Sequence, residues 1–487
     1  MSHRVLIHCN GGGSYGLGHV MRCLALASEA DRQGWDVRIL GDIDQSWLTE
    51  HRVDVPADYA DASAIGERLK ETISCWRPDV VHVDAYSDVP IVKDGEFIFS
   101  NMADGDFGSR QSDLAIDPTL GADHSSTGSK AAVSLLGAWY APLREQVIAH
   151  RPPVALYPGD EPRPWRVMVV MGGTDPFHLT QAVIDGVLRC TVPVHATVVT
   201  SSSAVNVGTA SKQRVRLIPF SDNLPSLATR HDLVISAAGT SLIEFAYLGL
   251  PMALVCAADN QRAGYEAAVN MGVAIPLGTG TLLASRVSSM IDSLHAVTLD
   301  HCRQAVQGVV DEFGAWRIVS AWQQLAFSPP RLPVAAPTMR RATIADAQSL
   351  FQWRDDPVTR AQSRDDSPLI WQKHVTWLRA TLKRDDCVLL IAELDGQPVG
   401  TVRWDRVGTS IWEASVTIAP EWRGHGLAAA ALAASEKSLP PARPIQLMAA
   451  IQEANAASLA AFARLGYTPF KPADEAGFLQ YCAWRLT

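Results

Sequence analysis

The chain has 487 residues, of which 47% are hydrophobic and 19% charged, and its net charge at pH 7 is −9. This composition is typical of globular protein, and the length predicts about three domains. An acidic chain without a recurrent basic stripe gives no reason to expect nucleic acid as a partner. No apolar run is long enough to span a bilayer, so no membrane interaction is predicted. The eight cysteines form no C-x-x-C pair and no signal peptide is evident, which predicts a cytoplasmic protein without a structural metal.

The first elements in the chain are a strand, a glycine-rich turn and a helix. Residues 5–9 form a short apolar run rich in branched side chains, which predicts a buried strand. A helical pattern begins at His19, directly after Gly18, and the N–H groups at such a helix start suit a phosphate. The spacing is not the G-x-G-x-x-G dinucleotide fingerprint. From spacing alone, His19 is either a functional side chain or an ordinary capping or packing histidine.

Further strands are predicted at 36–40, 80–85, 96–100 and 114–116, alternating with helical segments. This alternation predicts a parallel sheet with helices on both faces. Ligands bind such sheets at the carboxyl ends of the strands, where both His19 and Asp84 fall. The sequence leaves Asp84 open as either a functional acid or a solvated loop residue.

A second alternating unit follows a proline-rich stretch at 151–165, which we interpret as a linker. Strands are predicted at 166–171, 194–200, 215–219, 233–236 and 252–257. The turn at 172–176 combines glycines, a hydroxyl and a helix start, as a phosphate site would. Thr240 and Ser241 are predicted to open a helix with N–H groups available to an anion. Glu244, one turn further on, either accepts a ribose hydroxyl or completes a capping box.

The ordered set of motifs in these two halves resembles one enzyme family. The motifs are Gly16-x-Gly18-His19-x-x-Arg22, Val83-Asp84-x-Tyr86, Trp139-Tyr140-Ala141-Pro142-Leu143-Arg144, Gly172-Gly173-Thr174-Asp175-Pro176, Ser236-Ala-Ala-Gly-Thr-Ser-Leu-Ile-Glu244 and Asp259-Asn260-Gln261. Over about residues 3–325 they resemble the UDP-sugar hydrolases of pseudaminic acid biosynthesis. The resemblance implies an α/β chain with a GT-B fold, in which two Rossmann-like domains face a cleft.

The resemblance also implies roles for individual residues. His19 would activate water as a base, and an unperturbed imidazole, with a pKa near 6.5, can take that proton at cytoplasmic pH. Asp84 and Tyr86 would complete the catalytic group, and no metal is predicted. The residues expected to contact UDP or the sugar are Gly16, Gly18, Arg22, Gly173, Thr174, Gly239, Thr240, Ser241, Glu244, Asn260 and Gln261. The chain departs from the family at His8 and Asn10, where arginine and aspartate are usual, and at Ala238, where glycine is common.

A separate domain is predicted after a proline-rich linker. Residues 300–326 are predicted to form one or two helices that close the second domain or cross back to the first. The predicted boundaries are 1–155 and 156–327 for the Rossmann-like domains, 328–337 for the linker and 338–487 for the last domain. Within it we predict strands at 338–342, 388–394, 398–405 and 411–418, a hairpin turn at 395–397, a helix at 346–354 and an alanine-rich helix after 428.

The segment 420–428 and a downstream Asn455-x-x-Ser458-x-x-x-Phe462-x-x-Leu465-Gly466-Tyr467 pattern resemble the GNAT acetyltransferases. The segments Trp353-Arg354-Asp355-Asp356-Pro357 and His374-x-x-Trp377-Leu378 resemble the subgroup that acetylates amino sugars. The resemblance implies acetyl-CoA as cosubstrate, bound by Ile418, Arg423, Gly424, His425, Gly426, Leu427, Ala428 and Asn455. From the residues alone, His425 is more typical of a surface position than of a catalyst.

Two side chains of this domain bear on acid–base chemistry. Many relatives carry a tyrosine at the position of Phe462 as the acid for the departing thiolate, and phenylalanine has no proton to donate. Glu413 is the candidate base for the attacking amine, with a solvent-facing strand glutamate as the alternative.

The two resemblances together predict a bifunctional enzyme. Its acetyltransferase domain would acetylate a UDP-4-amino-4,6-dideoxy sugar, and its GT-B unit would then release UDP and free 2,4-diacetamido-2,4,6-trideoxy-L-altrose. Two alternatives remain open at the level of sequence. One is a GT-B glycosyltransferase with an acetyltransferase domain, and the other is a non-catalytic sugar-nucleotide sensor.

Overall fold

The computed structural model describes residues 3–11, 18–43, 57–59, 65–85, 97–105, 107, 110–122, 131–152, 163–172, 175, 177–200, 205–208, 212–221, 223–327, 336–441 and 444–485. The chain forms two compact units. The first comprises Met1–Ala131 and Leu135–Val319, and the second comprises Ala132–Ser134 and Ser320–Thr487. The predicted domain boundaries stay predictions, and most of the predicted linker, 328–335, lies outside the described residues.

The first sheet has seven strands in the order β3-β2-β1-β4-β5-β6-β7. They are β1 (Arg4–Cys9), β2 (Asp36–Gly41), β3 (Ala57–Tyr59), β4 (Val80–Asp84), β5 (Ile98–Met102), β6 (Leu114–Asp117) and β7 (Val133–Leu136). The helices of this half are α1 (Gly18–Arg32), α2 (Ile65–Trp76) and the short α3 (Glu145–Ile148). The strands β1 to β6 pair in parallel, as the alternation predicts.

The second sheet has six parallel strands in the order β10-β9-β8-β11-β12-β13. They are β8 (Trp165–Val170), β9 (Val194–Val199), β10 (Gln213–Ile218), β11 (Leu233–Ala237), β12 (Met252–Val255) and β13 (Ala274–Gly278). Its helices are α4 (Leu179–Arg189), α5 (Leu224–Ala228), α6 (Ser241–Tyr247), α7 (Arg262–Asn270), α8 (Leu283–Asp292), α9 (Ala296–Val306) and α10 (Gly314–Phe327).

Apart from β7 at the edge of the first sheet, the two sheets have the same strand order. This order indicates where a ligand can bind. In each sheet the first three strands lie side by side in chain order. The fourth strand then pairs with the free edge of the first strand, and the later strands continue in that opposite direction. The crossing points lie between β1 and β4 and between β8 and β11. Ligands bind open α/β sheets outside the carboxyl ends of the strands at such points. At the first crossing point, His19 lies in the helix that follows β1, and Asp84 is the last residue of β4. At the second, residues 238–244 follow β11.

Several strands of the two sheets are completely buried, as expected when helices cover both faces of a parallel sheet. The strands β4, β6, β11 and β12 are buried along their whole length. The sequence pattern misses β3 and β7, which have three and four residues. Runs of that length are hard to tell from loops. The pattern also misses β13 of the second sheet.

Helix α10 crosses back to the first half of the first unit, which was one of the two predicted alternatives. Arg317 on α10 is fully buried, donates to the Trp139 carbonyl oxygen at 2.5 Å and pairs with Asp311 at 2.6 Å. At Gly314 a Cβ atom would collide with the backbone of Ala141. The helix therefore begins where only glycine permits this close approach.

The second unit has a mixed sheet of seven strands in the order β14-β15-β16-β17-β18-β20-β19. They are β14 (Thr338–Arg341), β15 (Cys387–Leu394), β16 (Gln397–Arg406), β17 (Ile411–Ile418), β18 (Ile445–Gln452), β19 (Thr468–Lys471) and β20 (Phe478–Arg485). Its helices are α11 (Ala347–Asp355), α12 (Pro357–Ala361), α13 (Trp371–Thr381), α14 (Leu427–Ser435) and α15 (Ala456–Ala463). The predicted hairpin between β15 and β16 is present. Asp395 and Gly396 both have positive φ, 48° and 75°, as a tight two-residue hairpin turn requires.

The strands of this sheet pair in antiparallel fashion except β17 and β18, which are parallel. Among the helices of the described residues, none is long and apolar enough to cross a membrane.

Candidate functional site

His19, Asp84 and Arg22 form a buried hydrogen-bonded group at the first crossing point. His19 lies in the first turn of α1, and Asp84 ends β4 directly beside the end of β1. The His19 Nδ1 atom lies 2.7 Å from Asp84 Oδ1. Arg22, one turn along α1, donates from Nε to Asp84 Oδ2 at 2.5 Å and from Nη2 to Oδ1 at 2.6 Å. The three residues are 8%, 0% and 5% exposed, so Asp84 is not a solvated loop acid and that alternative is wrong.

Two groups meet the Nδ1 atom of His19. Asp84 Oδ1 lies 2.7 Å from it, and Arg22 Nη2 lies 3.0 Å from it. When Nδ1 carries the ring proton, that proton points at the carboxylate, which only accepts hydrogen bonds. In that tautomer the basic lone pair is on Nε2, at the opposite side of the ring. A carboxylate in this position holds an imidazole in orientation and stabilises the imidazolium that forms when it accepts a proton. The role of His19 as a base stays a prediction.

Asp84 remains ionised in the folded protein. Burial by itself would raise the pKa of Asp84, but the charges and hydrogen bonds of Arg22 and His19 hold it well below its usual range. A carboxyl group whose pKa is lower in the folded state stabilises the fold above its unfolded pKa of about 3.9, and this stabilisation is lost as the pH falls.

We therefore expect Asp84→Asn to lower the free energy of unfolding of the first unit by about 3 kcal/mol at neutral pH, because the substitution leaves a buried cation short of its counter-ion. The difference from wild type should stay constant down to about pH 5 and shrink by about 1.4 kcal/mol per pH unit below about pH 4. Denaturant unfolding followed by circular dichroism measures both quantities. The exposed Asp31→Asn on the same helix is the control, and a difference that persists unchanged at about pH 3 would contradict the assignment.

The side chain of Arg22 is held by two carboxylates. Besides its bonds to Asp84, it donates from Nη1 to Asp104 Oδ1 at 2.6 Å, and its side chain is 5% exposed. Arg22 therefore holds Asp84 against His19. It also lines the cleft, and its contact with UDP stays a prediction.

A cleft of about 380 Å³ lies between the two halves of the first unit and contains most of the described residues predicted for the sugar-nucleotide site. It is lined by Gly18, His19, Arg22, Gly239, Thr240, Glu244, Asn260 and Gln261, all of them predicted. The halves approach closely at one point, since a Cβ on Gly18 would lie 2.9 Å from Thr240 Oγ1. Ser241 is the first residue of α6 and is not among the lining residues. The remaining predicted residues Gly16, Tyr86, Gly173 and Thr174 lie outside the described residues.

Glu244 does not complete a capping box. The helix α6 has Thr240 as its N-cap, with no side-chain capping bond, and Ser241 is already inside the helix. Both Glu244 oxygens instead accept from Arg144, from Nε and Nη2, at 2.8 Å each. The pair joins residue 144 of the first half to residue 244 of the second at the wall of the cleft. The motif Trp139 to Arg144 thus ends in a side chain that positions Glu244.

Two backbone N–H groups at the helix start after β8 bind a carboxylate of the chain. Asp175 accepts from the backbone N–H groups of Leu179 and Thr180 at 2.9 Å each. These are the donors that an anion at the N-terminus of α4 would need. A carboxylate of the chain therefore binds these two donors. The expectation that the turn at 172–176 binds phosphate stays a prediction, since Gly173 and Thr174 lie outside the described residues.

Several cleft residues were not predicted from the sequence. Asp104, Thr119 and Phe177 all line the cleft. The carboxylate of Asp117 holds the backbone at two of them. It accepts from the N–H group of Gly105, next to Asp104, at 3.1 Å and from the N–H group of Thr119 at 3.0 Å. Asp104 and Thr119 carry a weak signal, since each lies in a turn next to the end of a parallel strand.

The three departures from the family are accounted for locally. His8 is fully buried, hydrogen-bonds through Nδ1 to the Leu40 carbonyl oxygen at 2.9 Å, and burial lowers its pKa. Asn10 accepts from the Asp42 backbone N–H at 3.1 Å. His8 thus bonds to β2 and Asn10 to the residue directly after β2, and neither is among the residues that line the cleft. Ala238, in contrast, lines the cleft itself.

In the second unit, the predicted loop 423–428 has the backbone of an anion-binding turn. Gly424 and Gly426 have φ values of 80° and 74°, and Gly426 is the N-cap of α14. Left-handed residues alternating with others turn successive N–H groups toward one point. A Cβ on Gly424 would meet no neighbour within 4 Å, so the loop faces open space.

The side chains around this loop have structural partners. Arg423 donates from Nη2 to Asp356 Oδ2 at 2.7 Å and to Thr359 Oγ1 at 2.8 Å. His425 is exposed and contacts the Trp422 carbonyl oxygen at 3.3 Å, as the surface interpretation predicts. The binding of acetyl-CoA by Arg423 and His425 stays a prediction.

The strands β17 and β18 pair over three residues each, at the start of β17 and from the second residue of β18. The registered pairs are Ile411 with Gln446, Trp412 with Leu447 and Glu413 with Met448. Beyond them the strands part, which opens the sheet on the side of Ile418. Glu413 is exposed at the last registered pair, so its surroundings agree with the solvent-facing alternative, and its role as a base stays a prediction.

Asn455 and Phe462, two positions of the downstream GNAT pattern, both have structural contacts. Asn455 is the N-cap of α15, where its side chain accepts from the Ser458 N–H at 3.1 Å. Phe462 is 2% exposed and packs edge-on against Tyr467, with ring centroids 4.9 Å apart. An apolar ring fills the position where many relatives carry the tyrosine acid.

Comparison with protein families matches the two units separately. The model described as the glycosyltransferase family 28 C-terminal domain matches residues 167–297, and the model described as the acetyltransferase (GNAT) domain matches residues 338–468. The chain joins a GT-B glycosyltransferase-like region to a GNAT acetyltransferase domain. The predicted fold class is thereby confirmed, with two Rossmann-like halves in the GT-B region and a mixed sheet in the GNAT domain.

Individual relatives match the GT-B region. An uncharacterized protein of Methanocaldococcus jannaschii is 21% identical over 262 residues, 52% of this chain and 51% of the relative. A UDP-N-acetylglucosamine–N-acetylmuramyl-(pentapeptide) pyrophosphoryl-undecaprenol N-acetylglucosamine transferase of Leuconostoc citreum is 29% identical over 85 residues, 16% of this chain and 23% of the relative. The chain thus spans about half the length of the first relative and about a quarter of the second. The crystal structure of MurG from Acinetobacter baumannii is 15% identical, with a TM-score of 0.47, and the match covers 66% of this chain and 100% of that one.

The described residues of the GT-B region and the GNAT domain contain no group of three or more histidine, cysteine, aspartate or glutamate side chains that would hold a metal ion.

Proposed function

We propose that this protein is a bifunctional, cytoplasmic nucleotide-sugar enzyme of pseudaminic acid biosynthesis. The GNAT domain acetylates the 4-amino group of a UDP-4-amino-4,6-dideoxy sugar with acetyl-CoA. The GT-B region then hydrolyses the UDP-2,4-diacetamido-2,4,6-trideoxy-L-altrose product to the free sugar and UDP. The single observation that carries the hydrolase assignment is the Asp84–His19 pair, which aims a basic imidazole into the cleft.

In the hydrolytic step, His19 Nε2 takes a proton from water as the water oxygen bonds to the anomeric carbon. The bond from that carbon to the diphosphate oxygen breaks, and UDP leaves with the electron pair. Asp84 stabilises the imidazolium that results. The backbone N–H groups near Gly239 and Thr240 and the polar side chains of Asn260 and Gln261 are placed to bind the nucleotide and the sugar, and Glu244 to accept a ribose hydroxyl. The proposal gives Tyr86 a role beside Asp84 on the family resemblance alone.

In the acetylation step, the amine nitrogen attacks the thioester carbonyl carbon, the carbon–sulfur bond breaks and the amine loses a proton to Glu413, the candidate base. The backbone N–H groups of the loop 423–428 suit the pyrophosphate of acetyl-CoA, since both glycines have left-handed conformations and the loop faces open space. The parting of β17 and β18 next to Ile418 leaves room for an extended cosubstrate. Phe462 cannot protonate the thiolate, so water or another group does.

A second candidate for the GT-B region is sugar transfer to an acceptor other than water. The match to a glycosyltransferase family domain over residues 167–297 favours it. The two reactions differ in one measurable property: a glycosyltransferase releases little UDP until its acceptor is added. Release of UDP from the purified protein with the diacetamido sugar nucleotide and water alone supports the hydrolase. Release only after addition of an acceptor supports the transferase.

A further inference from the structure

Phe177 is an exposed aromatic ring in a cleft whose other lining side chains are mostly small or polar. Phe177 is 50% exposed. Among the described residues that line the cleft, it is the one phenylalanine, tyrosine or tryptophan. The two large aromatic residues of the nearby helix α6, Phe245 and Tyr247, are buried at 2% and 4% exposure. An aromatic ring left in water at a ligand cleft has apolar surface available for a partner.

The backbone around Phe177 is held in a conformation that few residues adopt. Asp175 and His178 have φ values of 40° and 51°, although neither is glycine. Such residues persist only where the surrounding structure determines them, and they concentrate at ligand sites. Here Asp175 supplies the constraint, since its carboxylate accepts from Leu179 and Thr180 at 2.9 Å and its carbonyl oxygen accepts from the His178 N–H at 3.0 Å. Hydrogen bonds of Asp175 therefore hold the backbone that follows Phe177.

We propose that Phe177 is a specificity-determining residue that stacks on the apolar face of the sugar ring in the UDP-sugar. The inference rests on the proposed function, because it requires a sugar nucleotide in this cleft. The sugar's anomeric carbon must reach His19, which lines the same cleft as Phe177. The proposed sugar carries a methyl group at C6 and two acetamido methyl groups, and these groups need apolar partners in the cleft. An aromatic ring supplies one, at little cost in conformational entropy.

The test is a pair of binding measurements in a protein that does not consume its ligand. In the His19→Ala background, isothermal titration gives Kd for UDP and for UDP-2,4-diacetamido-2,4,6-trideoxy-L-altrose, with and without Phe177→Ala. We expect Phe177→Ala to weaken binding of the sugar nucleotide about tenfold and to change Kd for UDP by less than about twofold, as loss of one stacking contact to the sugar would. Phe177→Tyr, which keeps the ring, should stay within about threefold of its parent for both ligands. Met271→Ala, an exposed apolar residue outside the cleft, is the matched control.

Each other outcome has a defined meaning. An equal loss of affinity for UDP and for the sugar nucleotide would place the ring on uracil and overturn the inference. Unchanged affinity for both ligands would overturn it as well. If UDP binds normally and only the sugar stacking fails, the proposed function is untouched. If the His19→Ala protein binds neither ligand while remaining folded by circular dichroism, the proposed function fails, and the inference falls with it.

Discussion

His19→Ala should lower the rate of UDP release from the diacetamido sugar nucleotide by at least about a hundredfold, the loss typical of removing a general base. The reason is the hydrogen bond of 2.7 Å between His19 Nδ1 and Asp84, which leaves Nε2 as the atom that takes the proton of water. Steady-state kinetics with a coupled UDP assay measures the rate.

The control for this prediction is His150→Ala, which removes an exposed histidine of the same unit that lies outside the cleft. It should leave the rate within about twofold of wild type, the range of neutral surface substitutions. His19→Ala should still bind UDP, since Nε2 acts on water rather than on the nucleotide. A loss of less than about a hundredfold in a folded His19→Ala protein would contradict the base assignment.

Gly424→Val should lower kcat/KM for acetyl-CoA by at least about thirtyfold, equivalent to about 2 kcal/mol of lost binding to charged oxygens. A β-branched side chain at φ 80° distorts the loop, and its Cβ projects into the space that the loop leaves open. Acetyl transfer to the amino sugar nucleotide, followed by release of CoA thiol, measures this change. UDP release from the already acetylated donor should be unaffected.

Gly396→Val separates the effect of the loop from that of backbone strain. Gly396 lies in the β15–β16 hairpin turn with φ 75°, and a Cβ there also meets no neighbour within 4 Å. It therefore carries the same conformational cost without touching the loop at 423–428. Equal losses of acetyl transfer in both variants would show that general destabilisation, not cosubstrate binding, explains the effect.

The parts of the fold that the sequence predicts are those with a local pattern. The alternation of apolar runs and helical segments predicts most of the parallel strands, and the Asp395–Gly396 turn predicts a hairpin. The short strand β3 has no such pattern, and its place at the sheet edge depends on contacts with β2. The sequence also left two interpretations open for α10, which could close the second domain or cross back to the first. The contact between Arg317 on this helix and Trp139 joins residues that are far apart in the chain, so no local pattern predicts it.

In the candidate site, too, the sequence predicts residue types but not contacts between distant residues. The sequence identifies His19, Asp84 and Glu244 as residue types that suit the chemistry, but it cannot show their partners. Arg22 and Asp84 are 62 positions apart and Arg144 and Glu244 are 100 positions apart, so their pairing follows only from the fold. Arg22 is predicted at the ligand because it belongs to the Gly16-x-Gly18-His19-x-x-Arg22 motif of the resemblance, which says nothing of its bond to Asp84. Phe177 gave no signal, since its exposure is a property of the folded turn.

The central claim is that one chain carries out acetylation and then hydrolysis, and mass spectrometry of a single reaction tests it most directly. The purified protein is incubated with the UDP-4-amino-4,6-dideoxy-AltNAc donor, with and without acetyl-CoA. The proposal predicts free diacetamido sugar and UDP only when acetyl-CoA is present. Acetylated nucleotide without UDP release would contradict the hydrolytic step and favour an acceptor other than water, and an unchanged donor in both reactions would contradict the proposed function as a whole.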